Sequence, residues 1–438
     1  ATGVLNKASE RASACGIRVH VQVKHQDFIL GRISETKQPS FFAAIADDQN
    51  TLYEHIIANP PYFKLKSDDP RTKLIVGKLK GATNIYTVFM SLALEALTDL
   101  GQACFIVPRS FCSGMYFSDF RRDLANRAVL LSLHLFESRN ETFKEGEVLQ
   151  ENVIVTFQRK HRASPRLQDV DVEVSTSSNG EDLYNPLLTR KVPANHVFHS
   201  PNRHLFFRIP VCELDEQIIS TMDAWRDSLE TYGLTVSTGP VVSFRAKEFL
   251  RDAEAVENGK SVPLMLMNNI HPGKVIWPVR NGGKPQGISL EAEKKSLLVR
   301  TGNYVLVRRF SAKEEPRRLI CAPFLSDHYL YTYVGLENHL NYIYRKHGPM
   351  AVEETLGLAA ILNSSLMDRY FRILNGNTQV NAVELRSLPL PPPAFVRKLG
   401  TWLLQEGING QTSNVDSLIF AALRDAGLID ADLPTIKE

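Results

Sequence analysis

Apolar positions along the chain alternate between two periods, and each period predicts a different element. Leu5, Ala8, Ala12 and Cys15 recur at helical spacing, and Gly16 follows as a stop. Ile17, Val19, Val21 and Val23 then alternate with polar residues, as in a strand. A second apolar stretch, Tyr53 to Ala58, predicts a strand ending at Asn59. A helix is predicted from Asn84 to Asp99, with Val88, Leu92, Leu94 and Leu97 on its core face. Ala103 to Val107 reads as a short strand closed by Pro108, and Phe117 to Leu124 as a helix with a polar face. Val129 to Leu135 and Asn152 to Phe157 read as closing strands. Strands separated by helices predict a parallel α/β sheet. The last two strands have no helical pattern between them, which predicts an antiparallel edge.

Beyond Arg159 the pattern weakens. A basic run to Arg166 leads into the polar segment Ser175–Asp182, where a linker is expected. Periodicity resumes with a helix over Leu214–Leu229. Strand-like stretches follow at Gly233–Phe244, Pro263–Val279, Tyr304–Phe310 and Leu319–Phe324, then an apolar helix from Glu353 through Met367. The expected division is 1–165, a first domain; 166–232, a linker and connecting helix; 233–393, a second domain ending in prolines; and 394–438, a helical tail.

Composition narrows the class. The 438 residues suffice for two or three cores. A net charge of +3 confines any polyanion-binding surface to local clusters. The five cysteines are scattered without metal-ligand spacing, as expected of thiols in a reducing compartment. No apolar run approaches the length of a membrane span, so a cytoplasmic protein is expected. His271 near Trp277 and His25 near Asp27 lack further ligands at useful spacing, so no metal is expected.

The candidate chemistry centres on Asn59-Pro60-Pro61-Tyr62. Two prolines fix φ and carry no N–H, and the residue before a proline is pushed toward extended geometry. The result is a stiff corner that offers an amide oxygen, a carbonyl and an aromatic ring. Those groups suit a planar base bearing an amino group.

This tetrapeptide after an apolar strand resembles the catalytic motif of the gamma-class adenine-N6 DNA methyltransferases of the TaqI type. Gly101 through Phe111, followed by Tyr116-Phe117, is similar to that family's next strand and loop. Thr142-Phe143 and then Glu151 through Phe157 resemble its second stacking aromatic and closing strand. Val236 to Gly239 looks like the start of a target-recognition domain, and Gly376 to Asn381 with Leu385 and Leu388-Pro389 looks like its end.

The resemblance implies a partial Rossmann-like S-adenosylmethionine methyltransferase sheet, followed by an α+β recognition domain. Its substrate would be double-stranded DNA in a restriction–modification or phage-defence system, with a nuclease or specificity subunit as a further partner. Asn59 and Pro60 would accept from the N6 amine of a flipped adenine, held between Tyr62 and Phe143. Asp27 and Phe28 would meet the cofactor's adenine, with Asn59 beside its methyl group. For Asp27 a capping or turn role is the alternative. Arg300, Arg308 and Arg309, in a cluster that continues through Arg318, would contact DNA or form a solvated face with Glu314 and Glu315. Gln379 and Asn381 would face DNA or serve a turn.

The chain departs from the family in one respect. The Gly-rich turn and acidic ribose ligand are not found before Leu5 or downstream, so the first strands of the sheet are expected to be missing. That motivates a second reading, a catalytically inactive or partner-dependent DNA-binding protein. A protein- or RNA-directed methyltransferase ranks third. No nuclease signature is evident.

Overall fold

The structure is a computed structural model. It describes residues 13–15, 27–30, 52–75, 84–136, 151–161, 170–178, 188–200, 204–279, 283–311, 315–406 and 415–436. The expected strand Ile17–Val23 lies outside them, as does the expected helix from Leu5 apart from 13–15.

The first unit is built on a six-stranded sheet. Its strands are β1 (Tyr53–Ala58), β2 (Leu97–Pro108), β3 (Ala128–Phe136), β4 (Asn152–Arg159), β5 (Val172–Ser177) and β6 (Leu188–Val192), in the order β1-β2-β4-β3-β5-β6. β1 pairs with β2, and β3 with β5, in parallel. β4 runs antiparallel to both β2 and β3, and β6 antiparallel to β5. The sheet is therefore mixed, and the antiparallel strand expected at an edge lies inside it. Its side chains explain the placement. Val153, Val155 and Phe157 are fully buried, which an edge strand rarely achieves. The charged Thr189-Arg190-Lys191 of β6 suits the edge it occupies.

Two helices, α1 (Ile85–Glu95) and α2 (Ser118–Arg127), supply one face of this core. Tyr86, Met90 and Leu94 of α1, with Phe120 and Leu124 of α2, pack with Ala103, Phe105 and Val107 of β2. α1 ends earlier than the periodicity predicts, because Leu97, Thr98 and Asp99 enter β2. The segment 166–232 is more than a linker and helix. Its Val172, Val174, Val192 and Phe198 join the core of the sheet, and it continues into α3 (Glu213–Ala224).

The second unit contains two small sheets and a helical layer. β7 (Leu234–Thr238), β8 (Ser261–Met265), β9 (Gly287–Ser289), β10 (Leu298–Arg300), β11 (Tyr304–Arg308), β12 (Cys321–Phe324), β13 (Tyr333–Leu336) and β14 (Leu340–Arg345) form them. One sheet is antiparallel, in the order β12-β11-β14-β7. The other contains β9-β8-β13-β10, with β8 and β13 parallel. β11 shows why the sheets are sandwiched: Val305 and Val307 face the helical core, and Leu306 faces the opposite cluster.

The helical core comes from α4 (Val352–Asn363), α5 (Ser365–Leu374), α6 (Ala382–Arg386), α7 (Pro393–Gln405) and α8 (Val415–Asp425). The single helix predicted over 353–367 breaks at Ser364, whose hydroxyl accepts from Met367 N–H at 3.2 Å and caps α5. α7 and α8 are part of this core, with Val396, Leu399, Phe420 and Leu423 buried in it. α4 and α7 meet at glycines. A Cβ on Gly400 would lie 1.8 Å from Glu353 O, and one on Gly357 would lie 1.9 Å from Val396 O.

Candidate active site

β1 and β2 are parallel, so Asn59 and Pro108 leave the sheet at the same end. β3 runs in the same direction, and Asn152 at the start of β4 pairs with Pro108. Three connections therefore share the carboxyl end of the parallel strands, where open α/β sheets bind ligands. They are Asn59–Tyr62, the turn from Arg109 to Phe117, and the return to Glu151. Phe143 belongs to that return and lies outside the described residues.

At the corner Asn59 and Pro61 are exposed, Pro60 is buried and Tyr62 is half-buried. The Tyr62 hydroxyl lies 2.8 Å from both Asn59 Oδ1 and the Ile106 carbonyl, and its single proton is shared between these acceptors. Its ring meets Tyr86 edge-on at 6.3 Å, and Tyr86 shares a 3.1 Å hydrogen bond with Ser110. Burial pushes the Tyr62 phenol up to about 12, so it stays neutral and serves as a donor. The corner is thus locked to β2 through a phenol, in addition to its prolines. An amide oxygen has two lone pairs, so Asn59 Oδ1 retains one after receiving Tyr62. Among the described residues no backbone N–H donates to the Pro60 carbonyl.

A buried ion pair forms where β2 ends and β4 begins. Arg109 Nη1 contacts Glu151 Oε2 at 3.0 Å, with side-chain exposures of 6% and 2%. Arg109 N–H also donates to the Glu151 carbonyl at 2.7 Å. Its Nη2 donates to the carbonyls of Arg372 and Ile373 at 3.0 and 2.9 Å, at the end of α5. Gly376 is pressed against the pair: a Cβ there would lie 2.3 Å from Arg109 Cδ and 2.4 Å from Glu151 Oε2. The strand–loop of the first unit is thereby clamped to the second. In sequence, the position of Arg109 near the sheet's end was visible, but Glu151 carried no signal beyond preceding an apolar strand.

Asp27 occupies a capping geometry. Its Oδ1 accepts from the N–H groups of Ile29 and Leu30, both at 2.9 Å, and Oδ2 lies 3.5 Å from Arg71 Nη1. The Phe28 ring stacks on Phe89 of α1 at 5.1 Å, beside Leu65 and Ile85.

The candidate DNA contacts separate. Arg300 is exposed at the end of β10. Arg308 Nε donates to Ile270 O at 2.7 Å, and its half-buried position lowers its pKa. Arg309 Nη1 donates to Asn338 O at 3.1 Å. Phe310 and Gln379 form an antiparallel bridge, and Gln379 O accepts from Asn375 Nδ2 at 2.9 Å. Asn381 caps α6 in a reciprocal box with Glu384, whose Oε2 accepts from Asn381 N–H at 3.0 Å. Tyr116 is exposed, with Lys64 Nζ 5.8 Å above its ring, while Phe117 is buried.

Comparison with known proteins shows the family of the chain. The family profile described as Eco57I restriction-modification methylase matches residues 18–143. The chain is 35% identical to Type II methyltransferase M.BsuBI of Bacillus subtilis, over 83% of this chain and 70% of that protein. It is 34% identical to Type II methyltransferase M.PstI of Providencia stuartii, over 89% of this chain and 73% of that protein. Among solved structures, the type IIL restriction–modification enzyme MmeI in complex with DNA overlaps 86% of the chain, with a TM-score of 0.49 and 15% identity. This chain spans about half (52%) of that one. On the strength of these two relatives, the chain belongs to the type II methyltransferase family of restriction–modification systems.

Proposed function

We propose that the protein transfers a methyl group from S-adenosylmethionine to the N6 amine of an adenine flipped out of double-stranded DNA. The observation that carries this reading is the Asn59–Tyr62 corner. It stands at the carboxyl end of β1, with an exposed Asn59 amide and a neutral, anchored Tyr62 ring. An adenine amine donates two hydrogens, and the corner offers two acceptors, the remaining lone pair of Asn59 Oδ1 and the Pro60 carbonyl. Bonding to both favours a tetrahedral nitrogen whose lone pair is free to attack. The N–C bond forms as the S–C bond breaks, and the nitrogen sheds its extra proton afterwards. Catalysis then rests on positioning and fixed dipoles. Phe143 takes the far face of the base in this reading.

S-adenosylmethionine supplies an electrophilic methyl on a sulfonium. The chemistry of the described residues fits part of such a ligand: Asn59 would stand beside the methyl group, and Asp27 Oδ2 would accept a purine amine once Arg71 yields. Arg300 is an exposed cation of the second unit and suits a phosphate. Arg308, Arg309, Gln379 and Asn381 are engaged in backbone and capping bonds, and any DNA contact they make is through what those bonds leave free.

The test is transfer of labelled methyl to DNA by the full-length protein. Asn59→Ala is expected to lose about a hundredfold to a thousandfold in turnover. Tyr62→Phe keeps its ring and is expected to stay within roughly tenfold of wild type, as one hydrogen bond is worth about 1 kcal/mol. An Asn59→Ala protein with wild-type turnover would remove the mechanism.

A partner-dependent DNA-binding role is the second reading, and β1 favours it. β1 is a sheet edge among the described residues, with Ile57 86% exposed. Calorimetric titration decides between the two: micromolar binding of S-adenosylmethionine by the isolated protein excludes the partner-dependent form.

A further inference from the structure

The turn Glu337-Asn338-His339 joins β13 to β14 and borders an open cavity of about 240 Å³, also lined by Met267, Asn268, Lys284 and Phe310. The turn is fixed by backbone bonds on every side. Glu337 N–H donates to Met265 O at 3.0 Å, Asn338 N–H to Val241 O at 2.8 Å, and Arg309 N–H to His339 O at 2.9 Å. Gly239 is held against it so closely that a Cβ would lie 2.3 Å from Glu337 O.

The carboxylate inside this frame is unusual. Glu337 is 8% exposed, and no Lys or Arg pairs with it among the described residues. Both of its side-chain hydrogen bonds fall on one oxygen: Ser243 Oγ at 3.1 Å and His339 Nδ1 at 2.8 Å reach Oε1. Oε2 receives no protein hydrogen bond among the described residues and is not enclosed, so on the cavity wall it is open to a donor from outside. The His339 ring, held against the same carboxylate through Nδ1, is 46% exposed. The wall therefore presents a carboxylate acceptor beside His339, with exposed Lys284 and Phe310 lining the same cavity.

A carboxylate acceptor selects among base edges. Phosphate is repelled by the carboxylate. In the major groove guanine shows only acceptors, thymine an acceptor and a methyl, and adenine an acceptor beside its amine. Cytosine alone shows a donor with no competing acceptor, and its paired guanine offers O6 and N7 to a lysine. Phe310 of the cavity wall is bridged to Gln379, three residues beyond Gly376, which packs on the Arg109–Glu151 pair.

We infer that the Glu337–His339 turn reads one cytosine–guanine pair of the target through the major groove. Glu337 Oε2 accepts the cytosine N4 amine, and Lys284 donates to the guanine. This rests on the DNA-methylating reading above.

The experiment uses the full-length protein and maps its methylated motif by sequencing. Methylation rates are then measured on duplexes in which each base pair of the motif is replaced in turn. Wild type is expected to discriminate at one cytosine–guanine pair on the order of tenfold to a hundredfold. Glu337→Gln is expected to compress that ratio to about threefold, and to leave the other positions unchanged. His339→Gln, altered on the exposed side, should compress the same position and carries the test if Glu337→Gln does not fold. Unchanged discrimination in both variants, or equal weakening at every position, overturns the inference. If wild type methylates no DNA, the methyltransferase reading is what fails. The bound motif is then taken from random-sequence duplexes selected by gel shift, and binding of its single-pair variants judges the turn on the same criterion.

Discussion

Arg109→Met tests the clamp between the two units. The substitution preserves length and bulk, and removes the guanidinium from Glu151, whose side chain is 2% exposed. It also strips the donors from the carbonyls of Arg372 and Ile373. Breaking a buried ion pair by deleting one partner costs about 3–5 kcal/mol, chiefly because the remaining charge stays desolvated. With a urea dependence of about 2 kcal/mol per molar, the unfolding midpoint should fall by roughly 1.5–2.5 M. Glu151→Met in the Arg109→Met background removes the stranded charge. The double variant should regain at least about 2 kcal/mol, leaving the two carbonyls as the residual cost. Urea unfolding followed by tryptophan fluorescence across the four proteins measures the cycle. An Arg109→Met loss below about 1 kcal/mol, or a cycle additive within about 0.5 kcal/mol, would refute the reasoning.

Two further outcomes follow from burial and close packing. Burial raises the Glu384 carboxyl from its usual 4.5 to about 6, although Asn381 N–H and Asn375 Nδ2 donate to it. A raised acid contributes stability that is complete below the unfolded pKa and is lost as pH rises through the folded one, here about 2 kcal/mol between pH 4.5 and 6. Unfolding midpoints of wild type and Glu384→Gln should therefore diverge across that window, and a constant difference would contradict the assignment. Gly400→Ala should destabilise by about 3 kcal/mol or more in a thermal melt, despite alanine's higher helix propensity, because α4 and α7 must separate. An unchanged or raised melting temperature would show that the helices are not in backbone contact there.

The legible parts of this chain were those decided locally. Two prolines after an apolar strand produce the corner whatever surrounds it. The alternation in β2 and β4 marks their buried faces, and Asn381 with Glu384 three residues on is a readable capping box. Strand order was not legible, because the place of β4 depends on ladders with β2 and β3, whose partner residues lie 18 to 56 positions away. The strands β5 and β6 hid within a polar stretch, although Val172 and Val174 alternate correctly. Arg109 and Glu151 are 42 residues apart, and their pairing follows from the sheet that brings Pro108 opposite Asn152. Glu337 and His339 carried no signal in the sequence, because their setting is made by β8, β13 and β14.

The interior position of β4 bears on how the protein is made. β2 and β3 share no hydrogen bonds with each other, and β4 is the piece that joins them. A ribosome that has released the chain only through Phe136 has therefore exposed two apolar strands that lack their common neighbour. Synthesis must pass Arg159 before that gap is filled, and until then the nascent chain is open to wrong partners. A fragment cut between Phe136 and Asn152 would carry the same defect permanently, so the methylase-like segment cannot be dissected at that point and keep its sheet.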